Sequence, residues 1–553
     1  MPLSAKFVVS QAHSLPRAHG ASPVLAWTAG AHAAVFDGAG IAAAAAAVRE
    51  PLHLLRGREG GIGVGRDGEV TLSADAAAWP LLGLLPPLYP EWLGDRSFQE
   101  VHGTRHAYIG GAMANGIAST QMVIELGKVG ALGMFGAAGL SPARVEAAID
   151  TIAAALDPLA KPWGVNLIHS PAEPSLEDAI VDLFLRRGVR RVEASAFMAM
   201  SPAIVRYAAS GLYRDAEGRI QRRNFVIGKV SREEVARRFL EPPSAKILNA
   251  LVESGRLTRE EADLAAQLPV ADDLTGEADS GGHTDNRPLP VLIPALMRLR
   301  DEITGKRGDG RVIRIGAAGG LGTPASVAGA FALGAAYVQT GSVNQACVES
   351  GLQARGRAML AKAGMADVIM APAADMFEMG VDVQVLKRGT LFAPRAKKLY
   401  ELYRAHARFE DLPAEERERI ERQLLRNDYA SAWASTRAFW EKREPAQAER
   451  GERDLKHRMA LVFRSYLGLA ARWAIDGVED RDSDYQIWCG PAMGGFNRWV
   501  EGSFLEAPEA RTVAQVALNL LEGAAAVTRA QQLRSYGVPV PAAAFDFRPR
   551  PLV

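Results

Sequence analysis

The sequence predicts an α/β fold of the TIM (β/α)8-barrel class. From His106 onward, short apolar runs alternate with helical patterns, which is typical of parallel βαβ units. About eight such runs occur before the pattern stops near Thr340, and that number closes a barrel. The predicted strands are Ala107–Met113, Ala131–Phe135, Pro162–Ile168, Arg190–Ala196, Asn224–Val230, Pro269–Glu277, Val312–Ala317 and Ala335–Thr340.

The segments before and after the barrel do not show this alternation of apolar runs and helical patterns. Four prolines between Pro80 and Pro90 interrupt the first hundred residues, which we interpret as a small, irregular N-terminal layer. The segment after about Leu386 is rich in charged helical patterns. The predicted domains are therefore an N-terminal extension over 1–105, the barrel over 106–400 and a mainly helical C-terminal region over 401–553.

Helical patterns separate the predicted strands, and two of them have clear start signals. Ser141-Pro142 and Thr323-Pro324 each place a capping hydroxyl before a proline at the first helical position. The connection over residues 231–268 is unusually long and contains Pro242-Pro243. Because it follows the fifth strand, on the side where barrel active sites lie, we interpret it as a helical lid insertion. The predicted helices are Ile117–Val129, Pro142–Leu156, Leu176–Arg187, Pro290–Ile303 and Thr323–Leu333.

The composition excludes several classes of partner. Lys and Arg total 64 and Asp and Glu total 63, so the net charge is close to zero and does not favour nucleic acid or an acidic membrane surface as a partner. No uninterrupted apolar run is long enough to span a bilayer. The two cysteines, Cys347 and Cys489, cannot form a disulfide framework. Residues 1–20 lack a signal-peptide pattern, so we expect a cytoplasmic location.

Two glycine-rich turns predict a phosphate site. Gly319-Gly320 follows the seventh predicted strand and opens a helix, and Gly341-Ser342 follows the eighth. Glycine lets the backbone approach an anion, and N–H groups at a helix start have no partner within the helix. In TIM barrels, phosphate often binds in the loops after strands seven and eight. One such turn is common in any βα unit, but the pair at these two positions favours a phosphate site.

The loop Ser280-Gly281-Gly282-His283, after the sixth strand, predicts a catalytic histidine. Histidine moves protons near neutral pH, and the glycine pair holds it on a tight turn at the predicted active-site face. A loop histidine taken alone is more often a surface or packing residue. Its position beside the phosphate turns favours the catalytic role for His283.

Small residues near the end of the first strand leave room for a flat ring beside Ala112 and Met113. Asn166 and Lys229 end the third and fifth strands at the same face, where Lys229 could hold negative charge on a reduced ring. A loop cap for Asn166 and a surface charge for Lys229 are equally weighted alternatives. Neither His-Glu-x-x-His nor a cysteine pair with ligand spacing occurs, so we predict no metal site.

These segments, in this order, resemble the FMN-dependent barrel family that includes nitronate monooxygenases and FabK-type enoyl reductases. That resemblance covers Ala107 to about Gln345. A longer resemblance, to the PfaD family, rests on Asp375–Val381, Val385–Phe392 and Asp484–Gly494. PfaD proteins are trans-acting enoyl reductases of polyunsaturated fatty acid and polyketide synthases.

The resemblance implies a reaction, a cofactor and partners. NADPH would reduce FMN, and the flavin would reduce the β-carbon of an α,β-unsaturated thioester on an acyl carrier protein. His283 would donate the α-carbon proton or polarise the thioester carbonyl. The arginine clusters Arg186-Arg187, Arg190-Arg191 and Arg222-Arg223, with Lys387-Arg388, are candidate docking patches for an acidic carrier. The resemblance places Ala112, Met113 and Asn166 at the flavin ring and Gly282, Gly319, Gly320, Gln339, Gly341 and Ser342 on the ribityl-phosphate path. The other predicted flavin contacts are Lys229, Ser280, Gly281, Ala318 and Thr340.

Two other functions stay open at this stage. A nitronate monooxygenase-like flavin oxidase would return its electrons to oxygen rather than to an enoyl thioester. A non-catalytic synthase scaffold would keep the barrel without its chemistry, although the intact glycine turns and His283 argue against that. The sequence leaves open the acyl chain length, the choice between NADPH and NADH, and the oligomeric state, for which a homodimer is common in such barrels.

Overall fold

The computed structural model describes residues 24–73, 75, 77–171, 173–307, 311 and 313–553. The segment over 1–20, from which we expected no signal peptide, lies outside these residues, as does Val312 of the seventh predicted strand. The chain divides into two compact units. The larger comprises Tyr89–Thr528 and Phe545–Val553, and the smaller comprises the described residues up to Leu88 together with Arg529–Ala544.

Strands occur in both units. In chain order they are β1 (Val24–Thr28), β2 (Leu52–Arg56), β3 (Ile62–Gly65), β4 (Glu69–Ser73), β5 (Trp79–Leu85), β6 (Tyr108–Gly110), β7 (Leu132–Phe135), β8 (Trp163–Ile168), β9 (Arg191–Ser195), β10 (Tyr213–Arg214), β11 (Ile220–Gln221), β12 (Phe225–Val230), β13 (Asp273–Glu277), β14 (Arg314–Ala318), β15 (Val338–Thr340), β16 (Val368–Pro372) and β17 (Asp382–Leu386).

The helices follow the same order. They are α1 (Gly38–Ala46), α2 (Arg96–His102), α3 (Thr120–Lys128), α4 (Pro142–Leu156), α5 (Pro174–Arg186), α6 (Pro202–Ala209), α7 (Glu233–Leu240), α8 (Ala245–Glu253), α9 (Arg259–Ala265), α10 (Leu289–Arg307), α11 (Pro324–Ala332), α12 (Ser342–Gln345), α13 (Ala354–Leu360), α14 (Phe392–Ala405), α15 (Ala414–Arg419), α16 (Tyr429–Arg443), α17 (Pro445–Arg453), α18 (Leu455–Asp476), α19 (Ala492–Val500) and α20 (Val513–Ser535).

The larger unit contains the predicted barrel. Its strands β6 to β9 and β12 to β15 form a closed sheet, in which β15 pairs with β6 in parallel, Val338 opposite Tyr108. All eight predicted strands are confirmed, with ends that differ by a few residues. Burial on both faces explains why these strands read as continuous apolar runs. The fold class predicted from the sequence is therefore confirmed.

The amino-terminal end of the barrel is closed by α2 and a buried charge network. Phe98 stacks on Tyr337 of the barrel wall, with ring centroids 4.4 Å apart. His102 Nε2 lies 2.8 Å from the buried carboxylate of Asp273, which also accepts a hydrogen bond from Arg314 Nε at 2.5 Å. These residues fill the end opposite the predicted active site, so their role is structural.

The predicted helix starts are confirmed. The Ser141 hydroxyl accepts a hydrogen bond from Arg144 N, and the Thr323 hydroxyl accepts one from Ser326 N at 3.2 Å. In both helices, proline occupies the first turn, where its missing N–H costs no hydrogen bond.

The long connection over 231–268 is helical, but it does not lie over the active-site face. Its first helix, α7, packs on α10, and α8 and α9 pack on α6. Glu261 of α9 accepts a hydrogen bond from Gly211 N at 2.7 Å, near the amino-terminal end of the barrel. The lid interpretation is therefore wrong. The apolar faces of these helices are buried against the outer helices rather than over the strand ends.

The helical C-terminal region is confirmed, and it is preceded by a hairpin that we did not predict. Strands β16 and β17 pair antiparallel, with Ile369 opposite Val385. Their core continues into α14 and α18 through Phe377, Phe392 and Phe463. The barrel and this helical region lie in one compact unit, so the predicted boundary at residue 400 stays an interpretation.

The smaller unit contains a five-stranded antiparallel sheet in the order β3-β2-β5-β1-β4. The prediction of irregular structure over the first hundred residues is therefore wrong for this part. The missed signal is the turn over 57–61, where Gly57 N donates to Gly61 O at 2.7 Å and Gly60 has φ +90°. Glycine-rich turns between short apolar strands are typical of hairpins, and this one joins β2 to β3.

No helix in the described residues is long and apolar enough to cross a membrane.

Candidate active site

The two predicted phosphate turns have backbone geometry that suits a bound anion. Gly320 has φ +72°, and a Cβ at Gly320 or Gly341 would meet no atom within 4 Å. Gly319 has φ +85°, and there a Cβ would lie 2.6 Å from the backbone of Ala278. Gly319 therefore keeps the turn close to the sixth strand, while Gly320 and Gly341 leave open space beside their backbone. Ser342 Oγ accepts a hydrogen bond from Gly490 N at 3.0 Å.

A buried carboxylate, Glu193 on β9, joins three elements of the site. Its Oε2 accepts a hydrogen bond from Ala112 N at 2.8 Å, and its Oε1 accepts one from Gln339 Nε2 at 2.5 Å. The Lys229 ammonium lies 3.8 Å from Glu193 Oε1 and 3.1 Å from Glu277 Oε1. Glu193 is fully buried, so these contacts compensate its lost hydration.

Charge in this network is set by competing effects. Burial raises the pKa of Glu193, although Lys229, Ala112 N and Gln339 stabilise its ionised form. Burial also opposes the charge on Lys229, but Glu277 and Glu193 hold the pKa of Lys229 above its ordinary value. The site therefore keeps a fixed ammonium beside the strand ends.

The predicted contacts Met113 and Asn166 flank this network. Asn166 is buried, and its Oδ1 accepts a hydrogen bond from Ala138 N at 3.0 Å. Met113 is half-buried, and its carbonyl oxygen accepts from Ala118 N at 3.1 Å. Asn166 thus anchors the loop after β7, which matches the loop-cap alternative for that residue.

His283 is held by a segment from outside the barrel. Its Nε2 lies 3.2 Å from Oδ1 of Asp375, in the loop between β16 and β17. The backbones of Gly282 and Gln384 exchange two hydrogen bonds, at 2.9 and 2.8 Å. Gly281 packs on Cys489 so closely that a Cβ there would lie 2.7 Å from Cys489 N. The loop is therefore fixed between two C-terminal segments.

Two other predicted contacts use their side chains within the protein. The Thr340 hydroxyl is hydrogen-bonded to the Tyr108 hydroxyl, which also donates to Asn344 Oδ1 of α12 at 3.5 Å, so the Thr340 side chain is engaged between the barrel wall and α12. Ser280 Oγ donates to Glu277 Oε1 at 3.0 Å. Ala318 is buried, and its carbonyl accepts from Ala278 N at 2.8 Å, which joins the sixth and seventh loops.

Sequence reasoning missed Glu193, Asp375 and Gln384. Glu193 had a visible signal, because it is a lone carboxylate inside an apolar strand that is buried on both faces. Gln384 Nε2 donates to Asp279 Oδ1 at 2.7 Å and to Ser280 O at 2.6 Å. Neither Gln384 nor Asp375 lies on a barrel element, so no strand-end pattern indicated them.

The candidate docking patches are mostly engaged within the chain. Arg187 pairs with Asp150 at 2.7 Å, Arg191 donates to His102 O at 2.9 Å, and Arg222 is buried. Arg388 pairs with Asp367 at 3.2 Å. These contacts favour structural roles for the clusters over carrier docking.

The donor set fits the phosphate of a flavin. Open space beside Gly320 and Gly341 allows close approach to the backbone, and Lys229 supplies positive charge near Ala112. Among the residues that the structure describes, no group of three or more His, Cys, Asp or Glu side chains is arranged to hold a metal ion.

The barrel and the helical region of the larger unit match two different protein-family models. The family model for nitronate monooxygenase matches residues 97–395, more than half of the chain. A second model, for the inserted helical domain of [acyl-carrier-protein] S-malonyltransferase, matches residues 406–485. The barrel and the helical region thus have distinct relatives.

Several similar proteins are named for polyunsaturated fatty acid synthase or polyketide biosynthesis. One subunit of the polyunsaturated fatty acid synthase of Thraustochytrium sp. is 48% identical over 450 residues, which cover 80% of this chain and 30% of the relative. Polyketide biosynthesis protein PksE of Bacillus subtilis is 41% identical over 431 residues, which cover 78% and 56%. The chain spans 22% to 56% of the length of the curated relatives it matches.

A solved structure is similar over a complete domain. The enoyl reductase domain of MlnA, from the macrolactin biosynthesis cluster of Bacillus amyloliquefaciens, is 37% identical with a TM-score of 0.77. The match covers 80% of this chain and 99% of that one. These relatives confirm the resemblance to PfaD proteins, and the family model shows that this chain belongs to the nitronate monooxygenase family.

Proposed function

We propose that the chain is an FMN-dependent enoyl-thioester reductase that uses NADPH and acts on acyl groups carried by an acyl carrier protein. The observation that carries the proposal is the shared environment of His283 and Lys229. Lys229 lies near the end of β12 and His283 lies in the loop after β13, so both are at the barrel end that holds the glycine turns. A proton donor and a fixed cation beside a phosphate cradle are what flavin-dependent reduction of a conjugated double bond requires.

The flavin would bind with its phosphate on the backbone of Gly320, Gly341 and Ser342. Its ring would lie over Ala112 and Met113. The Lys229 ammonium would face the polar edge of the ring. When bound, FMN accepts a hydride from NADPH and passes a hydride to the β-carbon of the substrate. Overall, one hydride and one proton add across the double bond, and NADPH becomes NADP+.

His283 would supply the proton. Its loop follows β13, at the barrel face where substrates bind, and its side chain is partly exposed there. From this position it would protonate the α-carbon and take a new proton from solvent. Gln339, Gly282 and the other predicted contacts would orient the flavin rather than react.

The carrier-bound substrate is inferred from the relatives. The polyunsaturated fatty acid and polyketide synthase proteins that resemble this chain are named for pathways that use carrier-tethered chains. The 99% coverage of the MlnA enoyl reductase domain supports reduction of an enoyl group over other flavin chemistry.

A second candidate is nitronate oxidation, because the matching family model has that description. It would use the same flavin site, but oxygen would reoxidise the flavin. The β16–β17 hairpin and the helical region favour a larger substrate, so we place this candidate second.

The decisive experiment follows the visible spectrum of the purified protein supplied with FMN. Reduction by NADPH without oxygen should bleach the flavin bands, and a crotonyl thioester should then restore them. Bleaching by a nitronate, with restoration only by oxygen, would support the second candidate. Failure to bind FMN at all would refute the assignment of the glycine turns.

A further inference from the structure

We propose that Asp375 is a positioning residue that holds the His283 ring as a correctly oriented proton donor. This inference rests on the proposed function, because the proton is needed only if a double bond is reduced. It assigns a role to the β16–β17 hairpin, which follows the barrel in the chain and contributes no strand to it.

The hairpin first fixes the backbone on which His283 sits. Gln384 and Gly282 exchange two backbone hydrogen bonds, and the Gln384 side chain binds Asp279 Oδ1 and Ser280 O. Asn286 Nδ2 also donates to Gln384 Oε1 at 3.2 Å, so the loop after β13 has partners on both sides of His283. A glycine-rich loop held in this way has little freedom to move the ring.

Asp375 then fixes the ring itself. Its Oδ1 lies 3.2 Å from His283 Nε2 and also accepts a hydrogen bond from Met376 N at 3.1 Å. Among the described residues, Nδ1 of His283 has no hydrogen-bond partner. Asp375 therefore occupies one ring nitrogen and leaves the other for the substrate.

The position of Asp375 is in turn set by the helical region. Arg464 of α18 donates from Nε to the carbonyl of Ala374 at 2.8 Å. The same guanidinium lies over the Trp440 ring, 5.4 Å from its centroid. This contact fixes the backbone next to Asp375, so the hairpin loop is held from the side opposite the barrel.

Three charged groups face His283, namely Asp375, Glu277 and Lys229. Burial and Lys229 disfavour the imidazolium, whereas Asp375 and Glu277 favour it. The two carboxylates together have the larger effect, so the pKa of His283 is above its ordinary value. Asp375 makes the direct hydrogen bond, so its removal should lower that pKa. The protonated form is the one that can donate to the α-carbon.

In the step that Asp375 supports, the N–H bond at His283 Nδ1 breaks and a C–H bond forms at the substrate α-carbon. The electron pair comes from the carbon–carbon double bond as hydride arrives at the β-carbon. The neutral imidazole then takes a proton from solvent. Asp375 itself does not change its protonation state.

The test compares Asp375→Asn with Asp382→Asn. Asp382 lies in the same hairpin, is exposed, and has no contact with His283. The titration of His283 is followed by NMR, with the resonance assigned from its loss in His283→Ala. The rate at which a crotonyl thioester reoxidises the reduced flavin is measured against pH by stopped flow.

We expect Asp375→Asn to shift the His283 titration to lower pH and to slow reoxidation about tenfold or more near pH 8. Asp382→Asn should leave both unchanged, and Asp375→Glu should restore part of the rate. FMN binding and thermal unfolding of Asp375→Asn are recorded, so that a folding defect is recognised.

Equal titration of His283 in the two asparagine variants would overturn the proposal. So would a shifted titration with an unchanged rate at every pH. If the wild-type protein reduces no enoyl thioester, the proposed function fails. The NMR comparison still tests the His283–Asp375 coupling in that case, so the two failures are distinguishable.

Discussion

The Lys229 ammonium lies between two carboxylates, 3.1 Å from Glu277 Oε1 and 3.8 Å from Glu193 Oε1. Glu193 also receives the N–H of Ala112 and the amide of Gln339, so one buried side chain connects the first, fourth, fifth and eighth strands of the barrel. The site is therefore built on a closed polar network rather than on independent side chains.

Removing the Glu193 carboxylate should destabilise the fold. Glu193→Ala leaves Ala112 N and Gln339 Nε2 without their acceptor and Lys229 with one carboxylate fewer. We expect the free energy of unfolding to fall by about 3 kcal/mol, as for other broken buried pairs. Urea unfolding measures this change. Glu193→Gln keeps an acceptor oxygen and should cost less, and an equal loss in both variants would contradict the hydrogen-bond explanation.

His283→Ala should separate the two half-reactions. We expect reduction of the flavin by NADPH to continue, while reoxidation by an enoyl thioester slows by about 10²- to 10⁴-fold, the usual contribution of a general acid. Stopped-flow spectroscopy distinguishes the two steps. His32→Ala, an exposed histidine of the smaller unit, serves as the control. Unchanged reoxidation in His283→Ala would remove the histidine from the reaction.

The phosphate turn can be tested without disturbing the fold. Gly341→Ala places a methyl group in open space, so stability should change little while FMN affinity falls. The control is Gly329→Ala, also in open space but within α11, where alanine should stabilise by about 1 kcal/mol and leave FMN binding intact. Fluorescence titration with FMN gives both affinities. Equal affinities would move the phosphate site elsewhere.

The buried carboxylate of Asp273 should make stability depend on pH at the acidic end. Although burial opposes ionisation, His102 and Arg314 lower the pKa of Asp273 in the folded state. A lowered folded pKa stabilises the protein above the unfolded value of about 4, and this contribution is lost as pH falls further.

Asp273→Asn should therefore lower the free energy of unfolding by about 3 kcal/mol at pH 7. The difference from the wild type should narrow as pH falls below about 4, because the unfolded wild-type chain then binds a proton at this carboxylate before the folded protein does. Urea unfolding at both pH values measures it. Asp301→Asn, at an exposed ion pair, should change stability much less. A constant difference at all pH values would contradict the assignment.

The barrel could be predicted because its strands are buried on both faces and read as apolar runs. The placement of the glycine turns and His283 at one end of the barrel could be predicted because it follows directly from strand order. Glu193 was missed because a carboxylate in an apolar strand contradicts the pattern used to find that strand. Asp375 was missed for a different reason: its partner is 92 positions away, and no local pattern records a contact across that distance.

The β2–β3 hairpin and the long insertion were misread for opposite reasons. Prolines near β5 obscured short strands that only the Gly57–Gly61 turn reveals. The insertion over 231–268 was correctly predicted to be helical. Its position was not, because the amphipathic pattern of a helix does not indicate which surface of the barrel the apolar face covers.

Because the β16–β17 hairpin holds the His283 loop, the barrel cannot be truncated or fused to another protein without regard to this hairpin. A recombinant barrel that ends after residue 345 would keep both glycine turns and His283. It would lose the β16–β17 hairpin, whose Asp375 is hydrogen-bonded to the imidazole. Such a fragment would keep the residues proposed to bind the flavin, but its histidine side chain would be poorly oriented for proton donation. Chimeric proteins in which one barrel replaces another should therefore take the β16–β17 hairpin and the His283 loop from the same parent protein.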